Sequence, residues 1–224
     1  MDRLHRIRLL LGDAAVTRLQ NATVMVVGCG AVGSFAIEAL ARSGVGRLIL
    51  VDFDRVEESN INRQLFALTS TVGAPKVDVA AARARDINPD IDVDVRAMFW
   101  DADTDLDVRP DFVIDAIDTV ASKIALIKWC VGHDTAFVSS MGAARKTDIS
   151  RIRVSRISKT SVCPLAAKIR RMARDAGLPD FPVVFSDEVA VAATPSAPMG
   201  SMITVTGAFG LHLANVAIGH IINS

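Results

Sequence analysis

The residues best suited to chemistry begin in one short stretch. GCGAVG carries Gly28, Gly30 and Gly33, with Ala31 among them, after a continuous apolar run and before a helical pattern. Glycines so spaced allow a tight turn, close approach of anionic oxygens to backbone N–H groups, and contact between a helix and a strand. The helix N-terminus that follows favours negative charge. Asp52 comes 19 residues after Gly33, at the end of the next apolar run, with Asp54 beside it. A carboxylate there can accept hydrogen bonds from ribose hydroxyls. Together these residues point to an adenine nucleotide.

The following stretch bears on which nucleotide. A hydride-transfer enzyme needs a nicotinamide pocket after such a turn. DFDRVEESNINRQ supplies Asn60, Arg63 and Gln64 instead, and Lys76 follows. A triphosphate carries more charge than a dinucleotide pyrophosphate, and a turn of this type has no lysine of its own. Arg63 and Lys76 are therefore read as its cationic partners. Asp118 ends the run VIDAID, at the carboxyl edge of the expected sheet, where ligands bind in this fold class. There it could hold Mg2+ bridging phosphates. Taken singly, Arg63, Lys76 and Asp118 read better as surface ion pairs. In this order they favour ATP. NAD binding in an oxidoreductase is the alternative from another class.

These residues need a scaffold, and the apolar periodicity supplies one. Residues 3–19 predict an amphipathic helix. Thr23–Val27 reads as a buried parallel strand, Ser34–Arg42 as a helix and Arg47–Asp52 as a second strand, which makes one βαβ unit. Lys76–Asn88 predicts a helix, Asp90–Ala97 a strand with one wet face, and Phe112–Ile117 a buried strand. Ser122–Val131 (helix), Ala136–Ser140 (strand), Arg151–Ser155 (strand) and Pro164–Ala176 (basic helix) follow. The proline-bearing stretch 178–200 is expected to be a loop with little regular structure. Residues 202–222 have the length of a membrane span, but Gly207, Gly210, His212, Asn215, Gly219 and His220 interrupt them, so a buried closing helix is expected. The fold class is α/β: Rossmann-like and doubly wound, with a mainly parallel sheet, helices on both faces and a C-terminal extension. Residues 1–144 form the nucleotide-binding region, and residues 145–224 a basic C-terminal region of the same domain.

Half of the 224 residues are apolar and 22% are charged, as in a soluble globular protein. Cys29, Cys130 and Cys163 lie far apart with no CxxC pair, which argues against a disulfide framework or a zinc knuckle. MDRLHRIRLLLGD is charged from its start and is no secretory signal. A reducing, cytoplasmic setting without stable membrane insertion is expected. The formal net charge of zero hides an asymmetry: ten Lys and Arg lie between Arg145 and Arg174, with Asp148 alone opposing them inside that window. Such a run suggests an anionic partner. A solvated basic helix face is an equal alternative.

GCGAVG, VDFDRVEESNINRQ, PKVDVA, INPDIDV and VIDAIDTVASK resemble the adenylating ThiF-type family over about residues 3–145. That family includes ubiquitin-activating enzymes and adenylyltransferases of the thiamine and molybdopterin pathways, which activate a carboxylate as an acyl-adenylate with ATP and Mg2+. The resemblance implies Asp52 on the ribose, Asn60, Arg63 and Lys76 on the phosphates, and Asp118 on Mg2+. It also implies a homodimer in which Arg6 reaches the ATP of the partner subunit. MGAARKTDISRIRVSRISKTSVCPLAAKIRRMARDAG and VVFSDE are similar to the branch that dehydrates threonylcarbamoyladenosine in tRNA. That similarity implies adenylation of this carboxylate at tRNA position 37, then cyclisation with net loss of water. It gives the basic window a tRNA backbone to hold, through Arg145, Lys146, Arg151, Arg153, Lys159, Lys168, Arg170 and Arg171, and a cysteine desulfurase or sulfur-acceptor system as a further partner. The sulfur-carrier adenylyltransferases usually carry two CxxC pairs that this chain lacks. Activation of the C-terminal Gly-Gly of such a carrier is the alternative. Cys163, before Pro164 and beside basic residues, could be a nucleophile, although a small residue before a helix is the plainer reading.

Overall fold

The computed structural model describes residues 2–192 and 199–224. Two short helices open the chain, α1 (His5–Leu11) and α2 (Asp13–Asn21). The single helix expected over 3–19 is interrupted at Gly12, where φ is +82°, a conformation glycine adopts without steric cost. Arg8 secures the corner, donating to Asp2 at 2.9 Å and to Asp13 at 2.8 Å. Asp13 also lies in the first turn of α2, where a negative charge is favoured.

Seven strands follow: β1 (Thr23–Val27), β2 (Arg47–Val51), β3 (Asp92–Arg96), β4 (Phe112–Asp115), β5 (Phe137–Ser140), β6 (Ile152–Arg156) and β7 (Pro182–Ser186). They form one sheet in the order β3-β2-β1-β4-β5-β7-β6. Every neighbouring pair is parallel except β6 and β7. The helices are α3 (Gly33–Arg42), α4 (Lys76–Ile87), α5 (Val120–Gly132), α6 (Pro164–Asp175) and α7 (Ile203–Asn223).

Strand side chains alternate between faces, and the two cores divide accordingly. Val24, Val26, Leu48 and Leu50 pack with α2, α3, α4 and α7. Met25, Val27, Ile49 and Val51 pack with α5 and α6. Both faces are covered, which explains why these strands read as continuous apolar runs.

The stretch 178–200 departs from expectation. It contains β7, inserted between β5 and β6. Val183, Val184 and Phe185 are buried, so burial on both faces decides the conformation. Pro182 is the first residue of the strand, a position that tolerates proline. Residues 193–198 of that stretch lie outside the described residues.

α7 is long and apolar enough to cross a membrane by length and composition. Here it lies across α3 and the sheet, with Val205, Phe209, Leu213, Ala214 and Ala217 in the core. Two glycines allow the approach. A Cβ at Gly207 would lie 3.0 Å from the Phe35 ring, and one at Gly210 only 2.3 Å from the Val32 carbonyl oxygen. Gly219 has nothing within 4 Å of such a Cβ. Gly210→Val is therefore expected to lower the unfolding free energy by an overpacking cost of about 1–3 kcal/mol or more, read as a lower urea midpoint. Gly219→Ala is expected to raise the unfolding free energy by about 0.5–1 kcal/mol. Equal effects at the two sites would contradict this packing.

Candidate active site

The cleft opens where the strand order reverses. β1 pairs with β2 on one side and with β4 on the other, and ligands bind beyond the carboxyl ends of strands at such a point. Gly28, Gly30, Ala31 and Val32 follow β1, and Asp52, Phe53 and Asp54 follow β2. Met98, Phe99 and Trp100 follow β3, while Ala116, Ile117, Asp118 and Thr119 follow β4. Arg63, Gln64, Lys76 and Ser122 complete the lining.

The glycine turn is held by backbone contact. Gly28 has φ +96°, and a Cβ there would lie 2.7 Å from the Ala116 carbonyl oxygen. A Cβ at Gly33 would fall 1.7 Å from the Gly28 carbonyl oxygen. Gly33 thus packs the turn and does not line the cleft. The amides of Gly30, Ala31, Val32 and Gly33 donate to no protein acceptor among the described residues. Four free N–H groups at the start of α3 form an anion cradle.

Asp52 braces this turn. One carboxylate oxygen accepts from the Cys29 amide at 2.6 Å, the other from the Asp54 amide at 2.8 Å. Burial pushes its carboxyl up from the ordinary range, while those backbone hydrogen bonds and Lys76 pull it down. Each oxygen keeps a second lone pair for a ribose hydroxyl.

The cations stand around the cradle. Lys76, 8% exposed, sits in the first turn of α4 with Nζ 2.7 Å from Asp54 Oδ2. Arg63 anchors Nη1 on the Ser59 carbonyl at 2.7 Å and on Asn62 Oδ1 at 2.9 Å, and its remaining N–H groups have no partner among the described residues. Gln64 is buried beside Gly30. Asn60, expected on the phosphates, does not line the cleft. Its side chain is spent on its own turn, accepting from the Glu57 amide at 3.2 Å and donating to Ser59 at 3.3 Å. Its carbonyl accepts from the Arg63 and Gln64 amides, so Asn60 supports the turn that brings those two residues to the cleft.

Asp118 is exposed at the mouth, accepting from the Thr119 hydroxyl at 3.3 Å. No group of three or more His, Cys, Asp or Glu residues able to hold a metal ion occurs among the described residues. One carboxylate still fits Mg2+, which takes one or two carboxylates together with phosphate oxygens and water.

The sequence reading missed the apolar end of the cleft. Phe53 and Phe99 meet edge to face at 4.9 Å between centroids, beside Met98 and Trp100. Such a wall suits a purine ring. The run MFW after a strand was the available signal. Trp100 Nε1 and Ser122 Oγ are buried without a partner, an uncommon condition that a bound molecule or water would relieve.

Other expected site residues lie elsewhere. Arg6 is exposed on α1. Its neighbour Leu4 packs on Gly44, just before β2 at the amino edge of the sheet, so Arg6 is remote from its own cleft. Several cations of the basic window are engaged internally. Arg145, with φ +62°, donates to the Val191 carbonyl. Lys146 is buried and donates to the Glu188 carbonyl at 2.6 Å. Arg151 and Arg153 share Asp187 at 2.8 Å each. Arg170 binds Thr160 through its carbonyl and hydroxyl. Lys159, Lys168 and Arg171 are exposed and make no ion pair among the described residues. The window therefore meets more acid in space than along the chain. In the free protein, then, Lys146 is buried, and Arg145, Arg151, Arg153 and Arg170 already hold internal partners. All three cysteines are buried. Burial, and the charge of Asp52, push the Cys29 thiol up, and burial does the same for Cys130.

Fold and cleft define a nucleotide-binding protein of the doubly wound α/β class, with cations placed for a chain of phosphates. Residues 2–222 match the ThiF family, and the chain belongs to it. It is 48% identical over 192 residues to a tRNA threonylcarbamoyladenosine dehydratase of Bacillus subtilis, an alignment covering 84% of this chain and 76% of that protein. The crystal structure of the Escherichia coli tRNA N6-threonylcarbamoyladenosine dehydratase TcdA in complex with ATP superposes with TM-score 0.93 at 37% identity, covering 99% of this chain and 94% of that one. A sulfur carrier protein adenylyltransferase of Thermus thermophilus is 38% identical over 127 residues, 55% of this chain and 47% of that protein.

Lys76→Ala is expected to weaken ATP binding by about 10- to 100-fold, the worth of a charged hydrogen bond or two. The melting temperature should change little, because the orphaned Asp54 is 45% exposed and can hydrate. ATP titration by calorimetry beside a thermal melt separates the two effects. Unchanged affinity would remove Lys76 from the phosphate site.

Proposed function

We propose that the protein is an ATP-dependent tRNA threonylcarbamoyladenosine dehydratase. The observation that carries the nucleotide half is the convergence of the Gly30, Ala31 and Val32 amides, Arg63, Lys76 and Asp118 on one cleft. The activity named for the relatives supports the tRNA half.

The substrate carboxylate attacks the α-phosphorus of ATP, and pyrophosphate leaves. The loop amides, Arg63 and Lys76 stabilise negative charge as it develops on the phosphates, from positions already fixed in the fold. Asp118 is the residue that would hold Mg2+, which would supply further neutralisation of that charge when bound. A nucleophile within the same modified base then attacks the activated carbonyl, and AMP departs with one oxygen of the original carboxylate. This second step is intramolecular, so holding the two reacting groups together replaces a protein nucleophile. The buried Cys163 is not required.

The tRNA is held by the cations that have no internal partner. Lys168 and Arg171 lie three residues apart on the exposed side of α6, and Lys159 precedes that helix. The active assembly is a homodimer, supported by Leu9 and Leu10, 69% and 80% exposed on α1 beside Arg6. In it, Arg6 serves the partner's cleft. The cytoplasm is the setting in which this substrate and ATP meet.

The defining experiment incubates the protein with Mg-ATP and tRNA bearing threonylcarbamoyladenosine, then weighs the digested nucleosides. Loss of one water from that nucleoside, with AMP formed in step, is expected. Asp118→Ala should slow it by about 100- to 1,000-fold, the scale of one essential charge-stabilising group. Pyrophosphate exchange that requires a Gly-Gly carrier and ignores tRNA would overturn the reading. On the tRNA side, Lys168→Glu with Arg171→Glu should weaken binding and flatten the slope of log K against log[salt] by about two contacts. Arg151→Gln should leave that slope unchanged. The opposite pattern would return the contact to β6.

A further inference from the structure

Beneath the cleft lies a charged cluster that is no part of its lining. Asp115, the last residue of β4, Lys123 on α5 and Ser139 on β5 are each 0% exposed. Lys123 Nζ is 2.8 Å from Asp115 Oδ2 and 3.3 Å from Ser139 Oγ. Ser139 Oγ donates to Asp115 Oδ2 at 2.5 Å. The other carboxylate oxygen, Oδ1, accepts from the Ile117 amide at 3.1 Å.

A fully buried ion pair is a poor way to stabilise a core. Desolvating both charges is costly, and apolar replacements of similar volume are often neutral or better. The neighbours of Lys123 on α5, among them Ile124, Leu126 and Ile127, form an ordinary apolar core. The pair is therefore explained better by what it fixes. Its hydrogen bonds join β4, β5, α5 and one backbone amide of the turn between β4 and α5. That amide belongs to Ile117, the residue before Asp118.

We propose that Asp115 and Lys123 are positioning residues that hold this turn so that Asp118 presents its carboxylate to the metal and phosphates. This rests on the reading of Asp118 given above and names the device that keeps it in place. Asp115 is pinned at both oxygens: Lys123 and Ser139 fix Oδ2, and Oδ1 fixes the turn. If Oδ1 were free to rotate, the Ile117 amide would lose its acceptor and Asp118 its fixed direction.

The test is the Mg2+ dependence of AMP formation in the full chain. Removing Lys123 alone would leave an uncompensated buried carboxylate and risk unfolding. The primary variant is therefore Asp115→Leu with Lys123→Met, which removes both charges and the acceptor for Ile117 while keeping an apolar core. It is expected to fold, because the cost of the orphaned Ser139 hydroxyl and Ile117 amide is offset by no longer burying two charges. It should need at least about tenfold more Mg2+ for half-maximal rate, with the KM for tRNA unchanged. Ser139→Ala keeps the ion pair and loses the two hydrogen bonds that Ser139 makes with it, so it should raise the Mg2+ requirement about threefold to fivefold. If both variants keep the parental Mg2+ requirement, or if only their melting temperatures change, the positioning role is overturned. Asp118→Asn is measured alongside. A parental Mg2+ requirement there would overturn the metal reading itself. A shift in Asp118→Asn with none in the pair would overturn the positioning role alone.

Discussion

Gly28, Ala116 and Gly33 meet through their backbones, and the site depends on that contact. Any side chain at Gly28 would strike the Ala116 carbonyl, and one at Gly33 would strike the Gly28 carbonyl. Because nothing intervenes, α3 starts directly over the gap between β1 and β4, and the amides of Gly30, Ala31 and Val32 just before it have no protein partner among the described residues. Asp52 locks the arrangement from β2 by accepting the Cys29 amide. The parallel sheet contributes what makes this possible: at the switch between β1 and β4, two loops turn in opposite directions and leave a crevice. An anion site made of backbone needs no lysine within the turn, and Arg63 and Lys76 reach it from other elements.

The charges of the molecule fall into three kinds. Some are tied to each other on the surface, as Glu38 with Arg42 and Arg83, and carry little stability. Some are spent within the fold, as Lys146 on Glu188 and Lys123 on Asp115. A third set, Arg63, Lys76 and Asp118, keeps capacity free in the cleft. Lys76 holds Asp54 at its edge, so a phosphate must share or displace one carboxylate. The cleft thus meets an anion with hydrogen-bonding groups fixed in advance, which is where such groups are most effective.

Much of this was legible in the residues, and the misses have physical causes. The glycine spacing, the acid after β2 and the apolar runs prescribe a βαβ unit because each answers to local geometry. The helix over 3–19 failed at one residue, Gly12, whose backbone overrides a pattern that continues past it. β7 was hidden because its proline punctuates a loop in sequence but starts a strand in space. The internal partners of the basic window were hidden for a related reason. Asp180, Asp187 and Glu188 come from beyond it, and β6 pairs with β7 to bring them alongside. Asn60 carried the right type for a phosphate ligand and is used one step back, holding the turn beneath Arg63. Lys123 gave a fainter sign: a lysine within an apolar helix, eight residues after Asp115. A pair so separated declares itself only when strand and helix are folded together.

The central claim is that the cleft activates a carboxylate by joining it to the α-phosphate of ATP. The most direct measurement places 18O in the carboxylate of threonylcarbamoyladenosine in tRNA and weighs the small products after one turnover. The account requires one 18O atom in AMP and none in pyrophosphate. Label appearing in inorganic phosphate, with ADP as the nucleotide product, would mean that the γ-phosphate is transferred instead. That result would contradict the assignment of this site as an adenylating one.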